Sequence, residues 1–408
     1  MTTNIGNPLK GKHILLGLTG GIACYKSAEL CRSLIKHEAT VQVVMTNSAC
    51  EFMTPVTMQA LSGNTVYTDQ WDARFHNNMA HIELSRAADA ILIAPCTTNF
   101  IAKLAGGICD DLLSSLCVAR PAHVPLLIAP AMNVEMWQKP ATQRNVKQLV
   151  EDGIQICGPA PGEQACGDVG MGRMLEPDQI ISEFLAAFTA KSLAGKRVLI
   201  TAGPTFEPID PVRGLTNLSS GKMGYAIAQA AFEAGATVQL ISGPTALASP
   251  YGCIRHQVLT AQEMHAAVFA QVDEQDIFIS VAAVADWRIS NVSKQKLKKN
   301  GGEKNDGDEF PKLQFEQNPD ILAEVAALAH PPYCVGFAAE SENLIKYSTI
   351  KRLKKNVPLL VGNIAQTTLG LNQNEIILFD DKGHHSLPLA DKTSLARQLI
   401  MEIAHRIS

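Results

Sequence analysis

One cysteine in the first half of the chain has a setting suited to catalysis. Cys166 lies in residues 162–174, where one thiol stands among four glycines. Because glycine weakens both helices and strands, this segment predicts a flexible lid that carries a reactive thiol. The chain has ten cysteines, and most of the others are expected to be small hydrophobic core residues.

A histidine and an asparagine in the same half are further candidates. His81 directly precedes a helix-like segment, residues 82–88, and histidine exchanges protons near neutral pH. Asn133 follows a strand-like run, residues 125–129, at the sheet edge where open α/β sheets bind ligands, and its amide suits a carboxylate. The structural alternatives are a core histidine and an asparagine that caps a turn or a helix.

Polar side chains are also concentrated near the start of the second half. Residues 203–224 combine turn-forming residues with Arg213 and Asn217 and lead into a predicted helix. The run Ser219-Ser-Gly-Lys at that helix start suits phosphate binding by backbone N–H groups, with a serine N-cap as the alternative. The run lacks the glycine spacing of a P-loop.

A lysine-rich segment follows further along the chain. Residues 290–308 have no apolar period and predict a mobile loop that carries Lys294, Lys296, Lys298 and Lys299. Such a run of charge is either a solvated surface or a cationic loop that closes over a triphosphate.

The elements that position these residues alternate between strands and helices. Twice, at residues 12–23 and 196–205, an apolar run precedes a glycine-containing turn, where a helix start can bind phosphate. The alternation predicts the α/β class, with two Rossmann-like domains of mostly parallel sheet. We place a linker near residues 188–195 and domains at residues 1–190 and 191–408. The predicted strands are residues 14–18, 41–45, 90–94, 125–129, 154–157, 197–201, 237–242, 277–282, 334–338, 359–362 and 376–379, and the predicted helices include residues 28–37, 142–152, 225–234 and 261–271.

Length and composition limit the class of protein. A chain of 408 residues exceeds the usual size of one hydrophobic core, which favours two domains. With 46% hydrophobic and 18% charged residues, no apolar run reaches the roughly 20 residues of a membrane span. The N-terminal residues do not resemble a secretory signal, so we expect a cytoplasmic protein with no membrane partner.

Charge, cysteine spacing and glycine spacing argue against other classes. The net charge of −4 provides no general attraction to nucleic acid, which leaves small phosphorylated molecules as the expected ligands. No Cys-x-x-Cys pair or zinc-type spacing occurs. Neither of the two segments in which a strand precedes a glycine-containing turn, residues 12–23 and 196–205, has the pattern Gly-x-Gly-x-x-Gly followed by an acidic residue. An NAD(P)-dependent dehydrogenase is therefore not expected.

Four motifs of the first half occur in an order that resembles one enzyme family. Thr19-Gly-Gly-Ile-Ala, His81-Ile-Glu-Leu, Pro130-Ala-Met-Asn and Ala165-Cys-Gly-x-x-Gly-x-Gly-Arg-Met are similar to motifs of the FMN-dependent phosphopantothenoylcysteine decarboxylases. The resemblance implies a flavoprotein domain in which His81, Asn133 and Cys166 are catalytic. It also implies FMN contacts from Thr19, Gly20, Gly21, Ile22, Thr46, Thr97, Thr98 and Asn99.

The reaction of that family explains why these residue types are needed. An acylated cysteine cannot lose CO2 directly, because the electron pair would remain on an unstabilised carbon, so a cofactor must provide an electron sink. In the implied reaction FMN oxidises the CH2–SH carbon to a thioaldehyde, which accepts the pair as CO2 leaves, and the enethiolate is then reduced. His81 would serve as acid and base, Asn133 would hold the substrate carboxylate, and Cys166 would donate a proton.

The second half resembles another family over residues 195–380. The motifs there, including the lysine loop, are similar to those of the phosphopantothenate-cysteine ligases, which activate 4'-phosphopantothenate with CTP to an acyl-cytidylate that cysteine attacks. The resemblance implies that Asn217 and Arg213 handle the acyl intermediate and that Lys296 acts on the departing phosphates. Mg2+ is expected with the triphosphate, and the motifs do not identify its protein ligands. Nucleotide contacts are implied for Ser280, Val281, Ala282, Asp286, Lys296, Asn318, Pro319, Asp320, Ile321, Phe337, Lys351 and Lys355.

The two resemblances also imply an assembly. Decarboxylase domains are expected to form trimers with FMN at their contacts, and ligase domains are expected to pair, so the chain would be a homo-oligomer. The alternative is a non-catalytic flavoprotein that regulates a phosphatase. Such relatives carry acidic extensions, whereas this chain ends His405-Arg-Ile-Ser and has Cys166.

Overall fold

The computed structural model describes residues 6–72, 74, 79–297, 312–340, 342–364 and 373–408. The chain divides into two compact units, Met1–Phe188 and Thr189–Ser408. Each unit is built on its own sheet and has its own buried core. Within the described residues, no helix is both long enough and apolar enough to cross a bilayer.

The first unit is organised around a parallel sheet with the strand order β2-β1-β3-β4-β5. The chain runs from β1 outward to β2 and then returns to β3 on the other side of β1. The strand order therefore reverses between β1 and β3, and open α/β sheets bind ligands beyond the carboxyl ends of the strands at such a point. The strands are β1 (His13–Leu18), β2 (Thr40–Met45), β3 (Ala90–Cys96), β4 (Leu126–Pro130) and β5 (Gln155–Ile156).

A separate hairpin and a set of helices complete this unit. The hairpin pairs β6 (Ala160–Glu163) with β7 (Val169–Arg173) in antiparallel fashion. All seven residues of β3 are buried, which explains the uninterrupted apolar run of that strand. The helices are α1 (Cys24–Lys36), α2 (Asn47–Cys50), α3 (Pro55–Ser62), α4 (Ala80–Ala87), α5 (Thr98–Gly106), α6 (Leu112–Ala119), α7 (Val134–Gln138), α8 (Pro140–Glu151) and α9 (Pro177–Phe188).

The second unit contains an eight-stranded sheet with the order β12-β11-β8-β13-β16-β17-β18-β19. The six strands from β12 to β17 are parallel, and β18 and β19 are antiparallel additions at one edge. The strand order reverses between β8 and β13. The sheet strands are β8 (Arg197–Ala202), β11 (Thr237–Ser242), β12 (Cys253–Gln257), β13 (Ile277–Ser280), β16 (Tyr333–Glu340), β17 (Leu359–Ile364), β18 (Gln373–Asp380) and β19 (Gly383–Asp391).

Both faces of this sheet are buried. Along β8, Val198 and Ile200 belong to one apolar cluster and Leu199 belongs to another, as the alternation of side chains in a strand requires. Two small antiparallel pairs lie outside the sheet, β9 (Phe206–Pro208) with β10 (Gly214–Thr216) and β14 (Trp287–Ile289) with β15 (Phe315–Gln317). The helices are α10 (Lys222–Glu233), α11 (Ala261–Phe269), α12 (Ile321–Ala326), α13 (Leu344–Lys355) and α14 (Lys392–Ile407), with a 3-10 turn at Val272–Glu274.

The predicted α/β class and parallel sheets are confirmed, and the eleven predicted strands all overlap observed ones. Two local predictions need correction, and a third is covered only in part by the described residues. His81 is the second residue of α4 rather than the residue before a helix. The segment around Cys166 forms the β6–β7 hairpin instead of an irregular lid. The predicted lysine loop is described only as far as residue 297, and Lys298 and Lys299 lie outside the described residues.

Candidate active sites

A cavity of about 1060 Å³ opens at the carboxyl ends of β1, β3 and β4. Its walls come from the turns that follow these strands and from the β6–β7 hairpin. The structure brings all of the predicted FMN-contacting residues to this cavity. They are Thr19, Gly20, Gly21, Ile22, Thr46, Thr97, Thr98 and Asn99.

The turns after β1 and β3 are joined by the side chain of Thr19. Its buried hydroxyl donates to the carbonyl of Pro95 at 2.8 Å and accepts from the backbone N–H of Thr97 at 3.0 Å. The β1 turn also lies close to the start of α2, because a Cβ atom at Gly20 would come within 2.4 Å of Cβ of Ser48. Only glycine fits there, so backbone rather than side chains forms this wall of the cavity.

Two threonines cap helices that begin at the cavity. The hydroxyl of Thr46 accepts from the N–H of Ala49 in α2, and that of Thr97 accepts from the N–H of Phe100 in α5. The uncapped N–H groups at helix starts attract anions, and the positive end of the helix dipole adds to this attraction. The cavity therefore has sites suited to a phosphate group.

Asn133 follows β4 and is the N-cap of α7, which places its side chain at the cavity wall. Its Oδ1 accepts from the N–H of Glu135 at 2.8 Å. Its Nδ2 donates to Sγ of Cys166 at 3.2 Å and to Oδ2 of Asp168 at 2.7 Å. The helix cap, which was the structural alternative in the sequence, is thus present, and the same side chain also contacts the candidate thiol.

The hairpin that carries Cys166 is docked on the segment after β4. Oε1 of Gln164 accepts from the N–H of Val134 at 2.9 Å, and the N–H of Met132 donates to the carbonyl of Gly172 at 2.9 Å. A Cβ at Gly172 would lie 2.3 Å from the carbonyl oxygen of Met132. The glycines of this segment serve close packing, which explains why they do not produce a loose lid.

Asp168, which the sequence reasoning missed, contacts the two candidate catalytic side chains of the first unit. Its Oδ2 also accepts from the thiol of Cys166 at 3.4 Å, so one carboxylate contacts both candidate catalytic side chains. The available signal was its spacing, two residues after the cysteine in the predicted lid. Lys103, which lines the same cavity and pairs with Asp110 at 2.6 Å and Asp111 at 2.8 Å, was missed as well.

His81 is not among the described residues that line the cavity. It lies partly buried near the start of α4. The structure of one chain thus brings Asn133 and Cys166 together and does not bring His81 to them.

Most of the other cysteines are core residues, as predicted, and all ten are free thiols. Burial raises the pKa of Cys157 to about 12 and raises the pKa values of Cys96 and Cys117 well above their usual range. Because the thiolate is the reactive form, these buried thiols are inert. Cys166 is exposed, which distinguishes it from them.

In the second unit, polar contacts join the loops at the β8 and β13 strand ends. Nδ2 of Asn217 donates to the carbonyl of Ala283 at 2.9 Å, and the hydroxyl of Thr205 accepts from the N–H of Ala285 at 3.0 Å. The predicted contact residue Ala282 is held there by Thr201, whose hydroxyl accepts its N–H at 3.4 Å. These residues lie where the strand order reverses, which is the expected ligand position.

The carboxylate of Asp210 anchors Arg213 and the described part of the lysine loop. Nε and Nη2 of Arg213 donate to its Oδ2 at 2.9 and 2.5 Å, and the N–H of Leu297 donates to the same oxygen at 3.1 Å. Nη2 of Arg213 also donates to the carbonyl of Leu297 at 2.6 Å. Residues 293–297 are therefore tied to this turn, contrary to the predicted mobile loop, and Lys296 lies exposed beside it.

The predicted nucleotide residues after β15 form a second cluster. The N–H and Nδ2 of Asn318 donate to the carbonyls of Asp286 and Ala285, each at 2.9 Å. Asp320 caps α12 and pairs with Nζ of Lys355 at 2.8 Å. Burial alone would raise the pKa of Asp320, but the bond from Lys355 lowers it below its usual range. Asn318, Pro319 and Asp320 line an open cavity of about 680 Å³.

Several residues predicted to contact the nucleotide have side chains that pack in the cores of this unit. The side chain of Ile321 belongs to a buried core cluster, and those of Val281 and Phe337 pack against another. Ile321 is almost fully buried, whereas Val281 and Phe337 are partly buried. Ser280 lies opposite Gly336 in the sheet register, and Lys351 lies 3.8 Å from the carboxylate of Glu340.

The run Ser219-Ser-Gly-Lys before α10, which the sequence suggested for phosphate binding, does not place a serine at the N-cap of the helix. Gly221, with a φ of 74°, is the N-cap of α10, and Ser219 instead accepts the N–H of Gly221 at 3.4 Å. Only glycine adopts this left-handed conformation without strain. For metals, the described residues contain no group of three or more His, Cys, Asp or Glu side chains placed to hold an ion.

Two family descriptions match the chain. Residues 3–189 match the Flavoprotein family, and residues 193–407 match the DNA/pantothenate metabolism flavoprotein C-terminal domain. The C-terminal domain of a coenzyme A biosynthesis bifunctional protein CoaBC, known as a crystal structure, is 37% identical, covers 53% of this chain and 98% of that chain, and gives a TM-score of 0.45.

Full-length relatives carry the same name. The chain is 48% identical over 401 residues to the coenzyme A biosynthesis bifunctional protein CoaBC of Vibrio cholerae, covering 97% of this chain and 98% of that protein. It is 41% identical over 404 residues to the protein of that name from Bacillus subtilis, covering 97% of each. These matches confirm the resemblance of both halves, and the chain belongs to the family of bifunctional coenzyme A biosynthesis enzymes.

Proposed function

We propose that this chain catalyses two consecutive steps of coenzyme A synthesis. The C-terminal unit uses CTP to join 4'-phosphopantothenate to cysteine, with release of CMP and pyrophosphate. The N-terminal unit then decarboxylates 4'-phosphopantothenoylcysteine to 4'-phosphopantetheine with FMN. The observation that carries this proposal is the contact of Asn133 with Cys166 on one wall of a cavity whose other walls are the β1 and β3 turns.

The cavity of the first unit fits FMN in size and in chemistry. A volume of about 1060 Å³ lies at the upper end of ligand pockets. The glycine turn at Gly20 and the helix starts capped by Thr46 and Thr97 provide backbone N–H groups for a phosphate. Bound FMN supplies a reversible electron sink for decarboxylation.

The side chains at the opposite wall act on the substrate. Asn133 orients the substrate carboxylate with its amide N–H, which keeps the bond to CO2 in a fixed position. Cys166, exposed at the tip of the docked hairpin, donates a proton to the substrate carbon after CO2 has left.

We propose that His81 completes this site from a neighbouring copy of the chain. The family resemblance favours trimeric decarboxylase units with FMN at their contacts, and α4 carries His81 outside the cavity of its own chain. A cyclic trimer brings the same surface of each copy to the cavity of the next. On the same resemblance, we propose that the ligase units pair.

The second unit has the polar groups that acyl-cytidylate chemistry needs. Arg213 and Asn217 hold the acyl intermediate beside the β8 and β13 strand ends, and Lys296 stabilises the departing phosphates. Asn318, which is bonded to the carbonyl of Ala285, and the ion pair of Asp320 with Lys355 provide polar groups that suit the nucleotide. Mg2+ accompanies the triphosphate because a divalent cation offsets its charge.

The catalytic interpretation is favoured over a regulatory flavoprotein. The similarity extends over 97% of the chain to proteins named for coenzyme A biosynthesis, and it includes the ligase half. A cytoplasmic location stays a prediction from the sequence.

The direct test supplies CTP, cysteine and 4'-phosphopantothenate to the purified protein and follows pyrophosphate, CMP and CO2 together. Equal amounts of CMP and CO2 are expected, with CO2 formed after CMP. An Asn217→Ala variant should stop both signals, whereas a Cys166→Ser variant should leave CMP release intact. A colourless protein that forms CMP without CO2 would contradict the assignment of the first unit.

A further inference from the structure

The amide of Asn133 has no free N–H group within the chain. One N–H of Nδ2 points to Sγ of Cys166 at 3.2 Å, and the other points to Oδ2 of Asp168 at 2.7 Å. An asparagine side chain has only these two donors. A substrate carboxylate can therefore bind to Asn133 only if one of the two existing bonds is broken.

The orientation of that amide is set by its neighbour in α7. The backbone N–H of Glu135 lies 2.8 Å from Oδ1 of Asn133, and a backbone N–H can only donate. The oxygen of the amide must face Glu135, so the NH2 group must face the hairpin. Rotating the amide would leave Glu135 without its acceptor.

We propose that Asp168 occupies the position of the substrate carboxylate on Asn133, and that substrate binds by exchanging its own carboxylate for that of Asp168. This inference rests on the proposed decarboxylation. Asp168 contributes a charged acceptor at 2.7 Å, the same chemical group that the substrate would present. Two carboxylates at one amide would repel each other, so they bind in turn.

The hairpin allows this exchange without moving as a whole. Asp168 is exposed in the turn between β6 and β7, and its backbone carbonyl accepts from the N–H of Gln164 at 2.8 Å. The contacts of Gln164 with Val134 and of Gly172 with Met132 lie below the tip and hold the strands. A rotation of the Asp168 side chain alone removes its carboxylate from Asn133.

The exchange also affects the proton donor. The thiol of Cys166 donates to the Asp168 carboxylate at 3.4 Å, so its proton is held by that carboxylate while Asp168 remains in place. When a substrate carboxylate displaces Asp168, the thiol becomes free to turn toward the substrate. After CO2 leaves, Asp168 regains Asn133, and the product, which has no carboxylate, cannot displace it.

The test compares two ligands that differ in the carboxylate. With FMN-loaded protein, calorimetry measures the Kd of 4'-phosphopantothenoylserine, which has the carboxylate but no thiol to oxidise, and of 4'-phosphopantetheine, which lacks it. Asp168→Ala should bind the serine analogue about fivefold more tightly than the unmodified chain, because no charged hydrogen bond must first be broken. The Kd of 4'-phosphopantetheine should stay within about twofold.

Two further variants separate the exchange from other effects. Asp168→Asn keeps the shape of the side chain and removes its charge, so it should also favour the serine analogue. Glu163→Gln removes one charge from the same hairpin and leaves the bonds of Asn133 intact, so it should not change the ratio of the two Kd values. Retention of FMN by each variant shows that the first unit is folded.

The outcomes distinguish this inference from the proposed function. The exchange at Asn133 is contradicted if both ligands bind more tightly to Asp168→Ala, or if Glu163→Gln also tightens binding of the serine analogue. Either result would mean that only the negative charge of the hairpin affects binding. An unchanged Kd for the serine analogue also overturns the exchange. The proposed function fails separately, if the unmodified chain releases no CO2 from 4'-phosphopantothenoylcysteine.

Discussion

The exposure and the hydrogen bonds of one thiol, Cys166, determine the chemistry available in the first unit. Six of the ten cysteines are buried, and burial keeps such thiols protonated. Cys166 is exposed and has hydrogen-bonding partners on two sides, whereas Cys109 is exposed with a contact only to its own loop, to the carbonyl of Gly107. The two residues therefore form a matched pair for testing a role in proton donation.

Replacing Cys166 with serine should stop the reaction after CO2 release. A serine hydroxyl is a much weaker acid than a thiol, so the final protonation slows by orders of magnitude while the earlier steps continue. Mass spectrometry should detect accumulation of the enethiol with CO2 formed in equal amount. Cys109→Ser should form 4'-phosphopantetheine at the normal rate, and a normal rate for Cys166→Ser would exclude the proton-donor role.

Asp210 should make the stability of the second unit dependent on pH. Burial alone would raise its pKa, but hydrogen bonds from Arg213 and from backbone N–H groups lower it well below its usual range. A lowered pKa in the folded state stabilises the protein at pH values above the ordinary aspartate pKa, and the stabilisation is lost as pH falls below it. The Tm difference between the unmodified chain and Asp210→Asn should be large at pH 7 and shrink toward about pH 3.

An exposed aspartate in the same unit provides the comparison. Asp273 lies on the 3-10 turn after α11, so Asp273→Asn should change the Tm little at either pH. Asp210→Asn should also weaken the ligase, because Arg213 and Leu297 share its carboxylate. A Tm difference that is the same at both pH values would contradict the charged role of Asp210.

At the scale of elements, the docked hairpin should be sensitive to one methyl group. In Gly172→Ala the new Cβ would meet the carbonyl of Met132 at 2.3 Å, at a φ of 142°. The hairpin must then lift from the segment that carries Asn133, and decarboxylation should fall by about tenfold or more, because a displacement of about 1 Å already costs about 100-fold. CO2 release measures the loss, and CMP release from the second unit should not change.

Gly167 is the matched control for that substitution. It also has a positive φ, 89°, but a Cβ atom added there would have no other atom within 4 Å. Gly167→Ala therefore introduces backbone strain of only about 1–2 kcal/mol without a clash. If Gly167→Ala reduced decarboxylation as much as Gly172→Ala, close docking of the hairpin would not be the reason for the loss.

A buried ion pair joins two helices of the second unit. Nε of Arg397 in α14 lies 2.6 Å from Oε2 of Glu233 in α10, and both side chains are almost fully buried. Removing one partner leaves a buried charge, so Arg397→Met should reduce the free energy of unfolding by about 3–5 kcal/mol. Denaturant unfolding measures this free energy. A double variant that carries Glu233→Met as well as Arg397→Met should regain part of the lost stability. A double variant less stable than the single one would contradict this account.

The sequence predicted the strands better than the contacts between loops. Apolar runs such as β3 identify buried strands directly, because every residue faces a core. β19 was missed because its run includes two histidines, a serine and a proline, and it lies at the edge of the sheet. The hairpin was missed because its glycines are used for packing against Met132, which no local pattern reveals.

The site residues also divide into those that a local sequence pattern reveals and those that depend on contacts formed by folding. Motif order located Cys166, Asn133 and Arg213, but it did not reveal Asp168 or Asp210, whose importance comes from partners brought together by folding. For Ile321 and Phe337, a motif position does not tell whether the side chain or the backbone faces a ligand. Burial, which depends on the whole unit, decides between them.

At the scale of the whole molecule, both units use the same topological solution. In each sheet the chain first adds strands on one side of its first strand, β1 or β8, and then crosses to add strands on the other side. The strand order therefore reverses between β1 and β3 and between β8 and β13. The loops at these two points carry the candidate residues of each site. Two sites with unrelated chemistry therefore arise from one arrangement of strands.

The proposed sharing of a site between copies predicts complementation. If His81 of one copy serves the cavity of the next, chains with His81→Ala and chains with Cys166→Ser each fail to form 4'-phosphopantetheine. Co-expressed at equal levels, they should recover about a quarter of normal 4'-phosphopantetheine formation, because random mixing in a cyclic trimer gives one site in four an intact pair. Mixing the two purified variants without subunit exchange should recover nothing. If His81 instead acted on the Cys166 of its own chain, every site in the co-expressed protein would lack one residue, and no activity would return.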